Sequence, residues 1–147
     1  MRMVYYICIA WGFLFFHAPQ FWLLWFLHFQ QPGQGGWAAV LVNIVLFSLW
    51  AFIHSLMARD IFKNLVARLI GPDFYKLIYV TIAGLTQCLL LYFWQPVRGE
   101  IWHLEGVSYW LLTLAFLCAM ALGFYACLVL DYFEVLGLQV FLRRMRN

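Results

Sequence analysis

Four long runs of apolar residues dominate this sequence and decide what it can fold into. They cover approximately residues 3–27, 37–57, 77–94 and 107–130. At 1.5 Å per residue a helix of this length crosses a hydrocarbon core of roughly 30 Å. Charged residues make up only 10% of the chain, too few for a water-facing shell. The sequence therefore predicts one all-α domain over residues 1–147, a polytopic membrane protein of about four transmembrane helices.

Basic and apolar residues alternate between the second and third runs. The basic residues there are Arg59, Lys63, Arg68 and Lys76, and the apolar ones are Ile61, Phe62, Leu65, Val66, Leu69 and Ile70. This pattern is typical of an amphipathic helix at the membrane interface, and Gly71-Pro72 would end it. A second, shorter amphipathic segment forms the tail, which finishes with Arg143-Arg144-Met145-Arg146-Asn147.

The basic residues also predict the orientation of the chain. Arg2, the middle segment and the tail together place eight lysines and arginines on one side of the membrane, whereas Arg98 alone lies on the other. Because cytoplasmic loops carry an excess of basic residues, both termini are predicted to be cytoplasmic. The same placement indicates membrane topology rather than nucleic-acid binding, so the expected partner is the lipid bilayer.

Polar residues inside the spans are the natural candidates for a site, because an unpaired polar group is costly in hydrocarbon. Asn43 and His54 are eleven residues apart and share one face of the second helix, and Arg59 follows shortly after His54. His54 and Arg59 are candidate catalytic residues, and Asn43 and His54 are candidate ligand-binding residues. The alternative is a helix-end histidine that bonds a neighbouring group.

A haem between histidines of different helices is a further possibility. His17 and His28 share a face but lie roughly 16 Å apart along the helix axis, so one haem cannot bridge them. His17, His28 and His54 therefore stay open as separate axial-ligand candidates. The four cysteines show no Cys-x-x-Cys spacing, and we predict no other metal site.

The fourth run carries small residues at every fourth position. They are Ala115, Ala119, Gly123 and Cys127. Such spacing predicts a flat seam that lets another helix approach closely, from this chain or from another subunit.

Three segments resemble those of a known family. His54-Ser55-Leu56-Met57-Ala58-Arg59 with Phe62-Lys63, the later Gln95-Pro96, and the segment 131–140 together resemble membrane thiol S-methyltransferases, which make dimethyl sulfide from methanethiol. NnrU-type membrane proteins and, more distantly, isoprenylcysteine carboxyl methyltransferases share this architecture. The resemblance covers roughly residues 42–140.

The resemblance also implies what this chain lacks. In the family the S-adenosylmethionine pocket is built mainly by a C-terminal half, and this chain stops before it. A histidine of the family segment is replaced here by Asp131 or Tyr132, which makes Asp131 a third candidate ligand-binding residue. The expectation is that this chain alone binds no cofactor.

Three functional hypotheses follow. The first is a non-catalytic membrane subunit that packs with other membrane subunits in a larger complex. The second is one half of a split thiol methyltransferase whose S-adenosylmethionine site lies on another chain. The third, implied by NnrU-related isomerases that are haem proteins, is a haem or pigment carrier with His17, His28, His54 or His103 as ligand. The expected location is a bacterial inner membrane.

Overall fold

The structure is a computed structural model that describes residues 2–29, 33–99 and 104–146. Its long helices are α1 Arg2–Phe29, α2 Trp37–Met57, α4 Tyr75–Phe93 and α5 Gly106–Val129. Each of them contributes a span that is long and apolar enough to cross a membrane. In the described residues β structure is limited to one isolated bridge between Gly35 and Val97. The predicted all-helical protein with four spans is confirmed.

The segments predicted to be amphipathic contain three short helices, which are α3 Asp60–Leu69, α6 Tyr132–Val135 and α7 Gln139–Arg146. Gly71 has a φ of 107°, and a 3-10 turn over Pro72–Phe74 leads into α4. The α3 helix therefore ends before Gly71-Pro72, because proline disfavours a helical residue before it and glycine readily adopts positive φ. The cytoplasmic position of these segments stays a prediction.

The α1 and α4 helices form the most extensive helix pair in the fold. Pro19 lies inside α1 and has no N–H, so the Phe15 carbonyl loses its usual helical donor. Gly84 of α4 faces this carbonyl so closely that a Cβ there would lie 2.3 Å from the Phe15 oxygen. The absence of a side chain at Gly84 is therefore what lets the two backbones meet at the proline.

A cluster of almost fully buried side chains lies at one end of the bundle. We call residues 131–146 the C-terminal hook, because they turn back and pack between α1 and α4. Leu136, Leu138 and Phe141 of the hook are almost fully buried and cluster with Leu77 of α4. The Phe141 ring lies 6.1 Å from the Tyr5 ring. This apolar cluster joins α1, α4 and the hook.

The opposite end of the bundle is closed by backbone contacts between two loops. The Gly35 N–H donates to the Pro96 carbonyl at 3.2 Å, and the Arg98 N–H donates to the Gly35 carbonyl at 2.7 Å. Asn43 of α2 reinforces this end, since its side chain accepts from the Gln95 N–H at 2.9 Å and donates to the Gln95 carbonyl at 2.8 Å. These bonds fix the end of α4 against the start of α2.

The α5 helix stands apart from the other three spans. None of the side chains in its most apolar stretch is buried, and its main neighbour is the short helix α6. The α5 helix contacts α1 through Phe124, whose ring stacks on the His17 ring at a centroid distance of 5.9 Å. An open groove of about 270 Å³ separates α5 from α1 along Phe16 and Gln20. The fold is thus a packed unit of α1, α2, α4 and the hook, with α5 beside it.

Candidate functional site

A cleft between α1, α2, α4 and α6 is lined by four polar side chains of the membrane-spanning helices. Its volume is about 200 Å³, and we call it the His54 cleft. Its polar lining residues are Gln20, His54, Tyr79 and Gln87. The rest of the lining is apolar, so a ligand here would contact a few polar atoms in an otherwise hydrophobic pocket.

The imidazole of His54 is oriented by its own helix. Its Nδ1 lies 3.2 Å from the Trp50 carbonyl oxygen, one turn earlier in α2. A carbonyl only accepts hydrogen bonds, so the proton of the neutral ring is assigned to Nδ1, and Nε2 keeps its lone pair. The ring also packs on the Trp50 indole at 4.5 Å and meets the edge of Tyr79 at 6.1 Å. In the part of the chain that the structure describes, Nε2 has no hydrogen-bond partner.

Two glutamines form the opposite wall of the cleft. Gln20 of α1 donates to Gln87 of α4 at 3.2 Å, and Gln87 donates to the Pro19 carbonyl at 3.3 Å. Gln87 is buried, so these bonds satisfy a polar group that hydrocarbon cannot solvate. Gln87 thus joins α4 to α1. Thr86 instead bonds the backbone of its own helix, at the Ile82 and Ala83 carbonyls.

His17 lies outside this cleft and is fully engaged with aromatic groups. Its Nε2 shares a hydrogen bond with the Tyr132 hydroxyl of the hook. Its ring stacks on Phe13 at 6.0 Å and on Phe124 at 5.9 Å. The Nε2 that bonds Tyr132 is therefore not free to bind a haem iron in this structure, and His17 as an axial ligand stays a prediction. The described residues also contain no cluster of three His, Cys, Asp or Glu that could hold a metal ion.

The structure separates the other candidates from His54. Asn43 uses both ends of its amide on Gln95 at the far end of the bundle. Arg59 is exposed before α3 and does not line the His54 cleft. Asp131 caps α6 by accepting from the Glu134 N–H at 3.3 Å.

Some candidate residues fall outside what can be described. These are His103 and the side chains of His28 and Cys127. Of the small-residue seam on α5, Ala115, Ala119 and Gly123 are all exposed. Among the described residues, no atom outside the helix's own backbone lies within 4 Å of the position that a Cβ on Gly123 would occupy.

Sequence reasoning missed Gln20 and Tyr79 as lining residues of the cleft, and it missed Tyr132 as the partner of His17. Gln20 was recognisable as a polar residue within a span. Tyr79 carried no such signal, because tyrosine is common near membrane interfaces. The pairing of His17 with Tyr132 joins residues 115 positions apart, a separation that local periodicity cannot reveal.

Several curated proteins are similar to this chain. Methanethiol S-methyltransferase 2 of Bradyrhizobium diazoefficiens is 33% identical over 101 residues, which cover 69% of this chain and 39% of that protein. Methanethiol S-methyltransferase of Mycobacterium tuberculosis is 33% identical over 109 residues, which cover 71% and 43% respectively. Nurim of Bos taurus is 31% identical over 127 residues, which cover 75% and 48%. This chain spans less than half the length of each of these relatives. No family model and no solved structure matches it.

Proposed function

This chain is a relative of the membrane methanethiol S-methyltransferases, and from that premise we propose that it is an integral membrane subunit, non-catalytic on its own, that packs into a larger membrane complex. The observation that carries the proposal is that α5 is exposed along most of its length. A helix of 24 residues has its most apolar stretch wholly unburied and touches the rest of the fold mainly near its C-terminal end.

The small residues of α5 support a role in helix packing. In a bilayer, helices associate by close packing and hydrogen bonds, and small residues let the backbones approach. Ala115, Ala119 and Gly123 occupy one face of α5 and contribute little side-chain bulk there. Ala119 and Gly123 line the open groove beside α1, and in this proposal a helix of another subunit packs on the seam there.

The test compares two alanines of α5 that lie on opposite faces. Ala119→Leu adds bulk to the seam, whereas Ala121→Leu adds the same bulk to the opposite face, and both positions are exposed. After purification of the full chain in mild detergent, we expect the wild type and Ala121→Leu to retain stable partner subunits. Ala119→Leu should lose them by at least about tenfold. A monodisperse lone monomer for the wild type would contradict the proposal.

A second candidate function is the thiol-binding half of a methyltransferase, and the His54 cleft favours it. The Nε2 lone pair of His54 is able to accept the proton of a small thiol, leaving a thiolate and an imidazolium. The cleft is smaller than the roughly 300–1,000 Å³ of pockets that hold drug-sized ligands. In this second proposal the methyl donor is therefore held by residues outside the cleft.

Radiolabelled methyl transfer to methanethiol tests this second function. The full chain is assayed in membranes together with candidate partner chains, as wild type, as His54→Gln and as His17→Gln. We expect His54→Gln to lower transfer by about 10²-fold or more, in keeping with the loss of a general base. His17→Gln removes a histidine outside the cleft and should retain at least half of the transfer. The absence of transfer with every partner would reject the hypothesis.

A further inference from the structure

The α3 helix carries two apolar faces, of which the fold covers one. Val66 is buried and the Phe62 ring lies 6.4 Å from the Tyr75 ring, so this face packs against the start of α4. Ile61, Leu65 and Leu69 follow one another at intervals of four residues on the adjoining face. They are exposed, Ile61 at 79% and Leu69 at 73%.

The position of α3 indicates what covers this outer face. The membrane-spanning helix α2 ends at Met57, and α3 begins three residues later at Asp60. A helix that starts so close to the end of a span lies at the boundary between hydrocarbon and water. Exposed aliphatic side chains at that boundary are favourably placed among the acyl chains of lipids.

Two arginines flank this outer face. Arg68 is exposed on α3 next to Leu69. Arg59 is the residue just before the helix and is also exposed. Within the described ranges neither guanidinium forms an ion pair or a hydrogen bond. Lys63, by contrast, pairs with Asp60 at 3.1 Å. Two uncommitted guanidinium groups at a membrane interface match the phosphate of an anionic lipid, which arginine binds through paired N–H donors.

We propose that α3 is a lipid-binding surface, with Ile61, Leu65 and Leu69 among the acyl chains and with Arg59 and Arg68 on the headgroup phosphates of anionic phospholipids. The selectivity arises from charge, because a zwitterionic lipid also carries a cationic group that repels arginine. A basic residue near an anionic membrane surface strengthens binding by about fivefold.

Native mass spectrometry of the full chain tests the proposal. The protein is released from micelles that contain equal amounts of phosphatidylglycerol and phosphatidylcholine with the same acyl chains. We expect the wild type to retain phosphatidylglycerol in preference. The double variant Arg59→Gln/Arg68→Gln should lose this preference by about five- to 25-fold. Arg59→Lys/Arg68→Lys keeps both charges and should retain most of it.

The matched control is Arg98→Gln, which removes one exposed basic residue at the opposite end of the bundle. It should leave the preference unchanged. The proposal is overturned if the wild type shows no preference, if the double glutamine variant keeps it, or if Arg98→Gln reduces it equally. A second copy of the chain bound through α3 would appear as a dimer that Leu65→Ser dissociates, and that result would also overturn it.

Discussion

Two glycines in membrane-spanning helices have opposite surroundings. A Cβ at Gly84 would lie 2.3 Å from the Phe15 carbonyl oxygen, whereas a Cβ at Gly123 would meet no atom of a neighbouring element within 4 Å in the described parts of the chain. Gly84→Ala should therefore push α4 away from α1 and lower the free energy of unfolding by about 1–3 kcal/mol. Thermal unfolding in detergent measures the loss.

Gly123→Ala is the matched control for this prediction. It makes the same chemical change in a helix and should be neutral or slightly stabilising, because alanine favours helix over glycine by about 0.5–1 kcal/mol. Equal destabilisation by the two variants would show that the contact at Gly84 is unimportant.

Gln87 differs from its neighbour Thr86 in what it bonds. The Gln87 amide joins α4 to α1 at Pro19 and Gln20, whereas the Thr86 hydroxyl bonds its own helix. Gln87→Leu should lower the unfolding free energy by about 0.6–2 kcal/mol, the range found for hydrogen bonds between membrane helices. Thr86→Val should change it by less. Titration with a denaturing detergent compares the two, and a larger effect of Thr86→Val would contradict the assignment.

The sequence predicted part of the candidate site. His54 was identifiable as a polar residue within a span, and the bond of its Nδ1 to Trp50 agrees with the simpler interpretation of a helix-end histidine that bonds a neighbour. Arg59 is near His54 in sequence yet lies outside the cleft, because the chain leaves α2 at Met57. Two residues that are close in sequence, such as His54 and Arg59, therefore need not face the same site.

At the scale of elements, the four spans were predictable because a bilayer demands long apolar helices with all backbone bonds internal. Each end of a predicted range lies within two residues of the corresponding end of the helix. The arrangement of these helices was not predictable in the same way. Lipid accepts an apolar face as readily as another helix does, so apolar periodicity cannot show that α5 stays outside the packed unit.

The C-terminal hook is the element whose packing the sequence least reveals. Its alternating pattern predicted a short amphipathic tail without showing what the apolar side would contact, and Phe141 is 1% exposed between α1 and α4. Phe141→Ala should remove about 3–5 kcal/mol of stabilisation, as truncation of buried aromatic residues does. Trypsin should then cut after Arg143 and Arg144 at least about tenfold faster in detergent, because cleavage requires local unfolding.

Leu130→Ala is the control for the hook. Leu130 is 67% exposed at the end of α5, so its truncation should leave the rate of tryptic cleavage unchanged. Unchanged cleavage in Phe141→Ala would mean that the hook is held by its ion pairs. Those pairs, Lys76 with Glu134 and Arg144 with Asp73, are partly exposed and contribute about 0–1 kcal/mol each.

At the scale of the whole molecule, both ends of the described chain lie at the same end of the bundle. Tyr5 near the start of α1 has its ring 6.1 Å from that of Phe141 in α7. A reporter that is active on only one side of a membrane should therefore give the same result when it is fused to the N-terminus as when it is fused to the C-terminus. The excess of basic residues predicts the cytoplasmic side, and opposite results for the two fusions would contradict the arrangement.

The position of the hook in the chain has a consequence for biosynthesis. Leu136, Leu138 and Phe141 are translated only after the whole of α1 and α4 has been synthesised. During that interval the groove that these residues later fill is open to lipid and to the insertion machinery. Residues translated late thus complete the packing of residues translated early, and this end of the α1–α4 pair stays open until then.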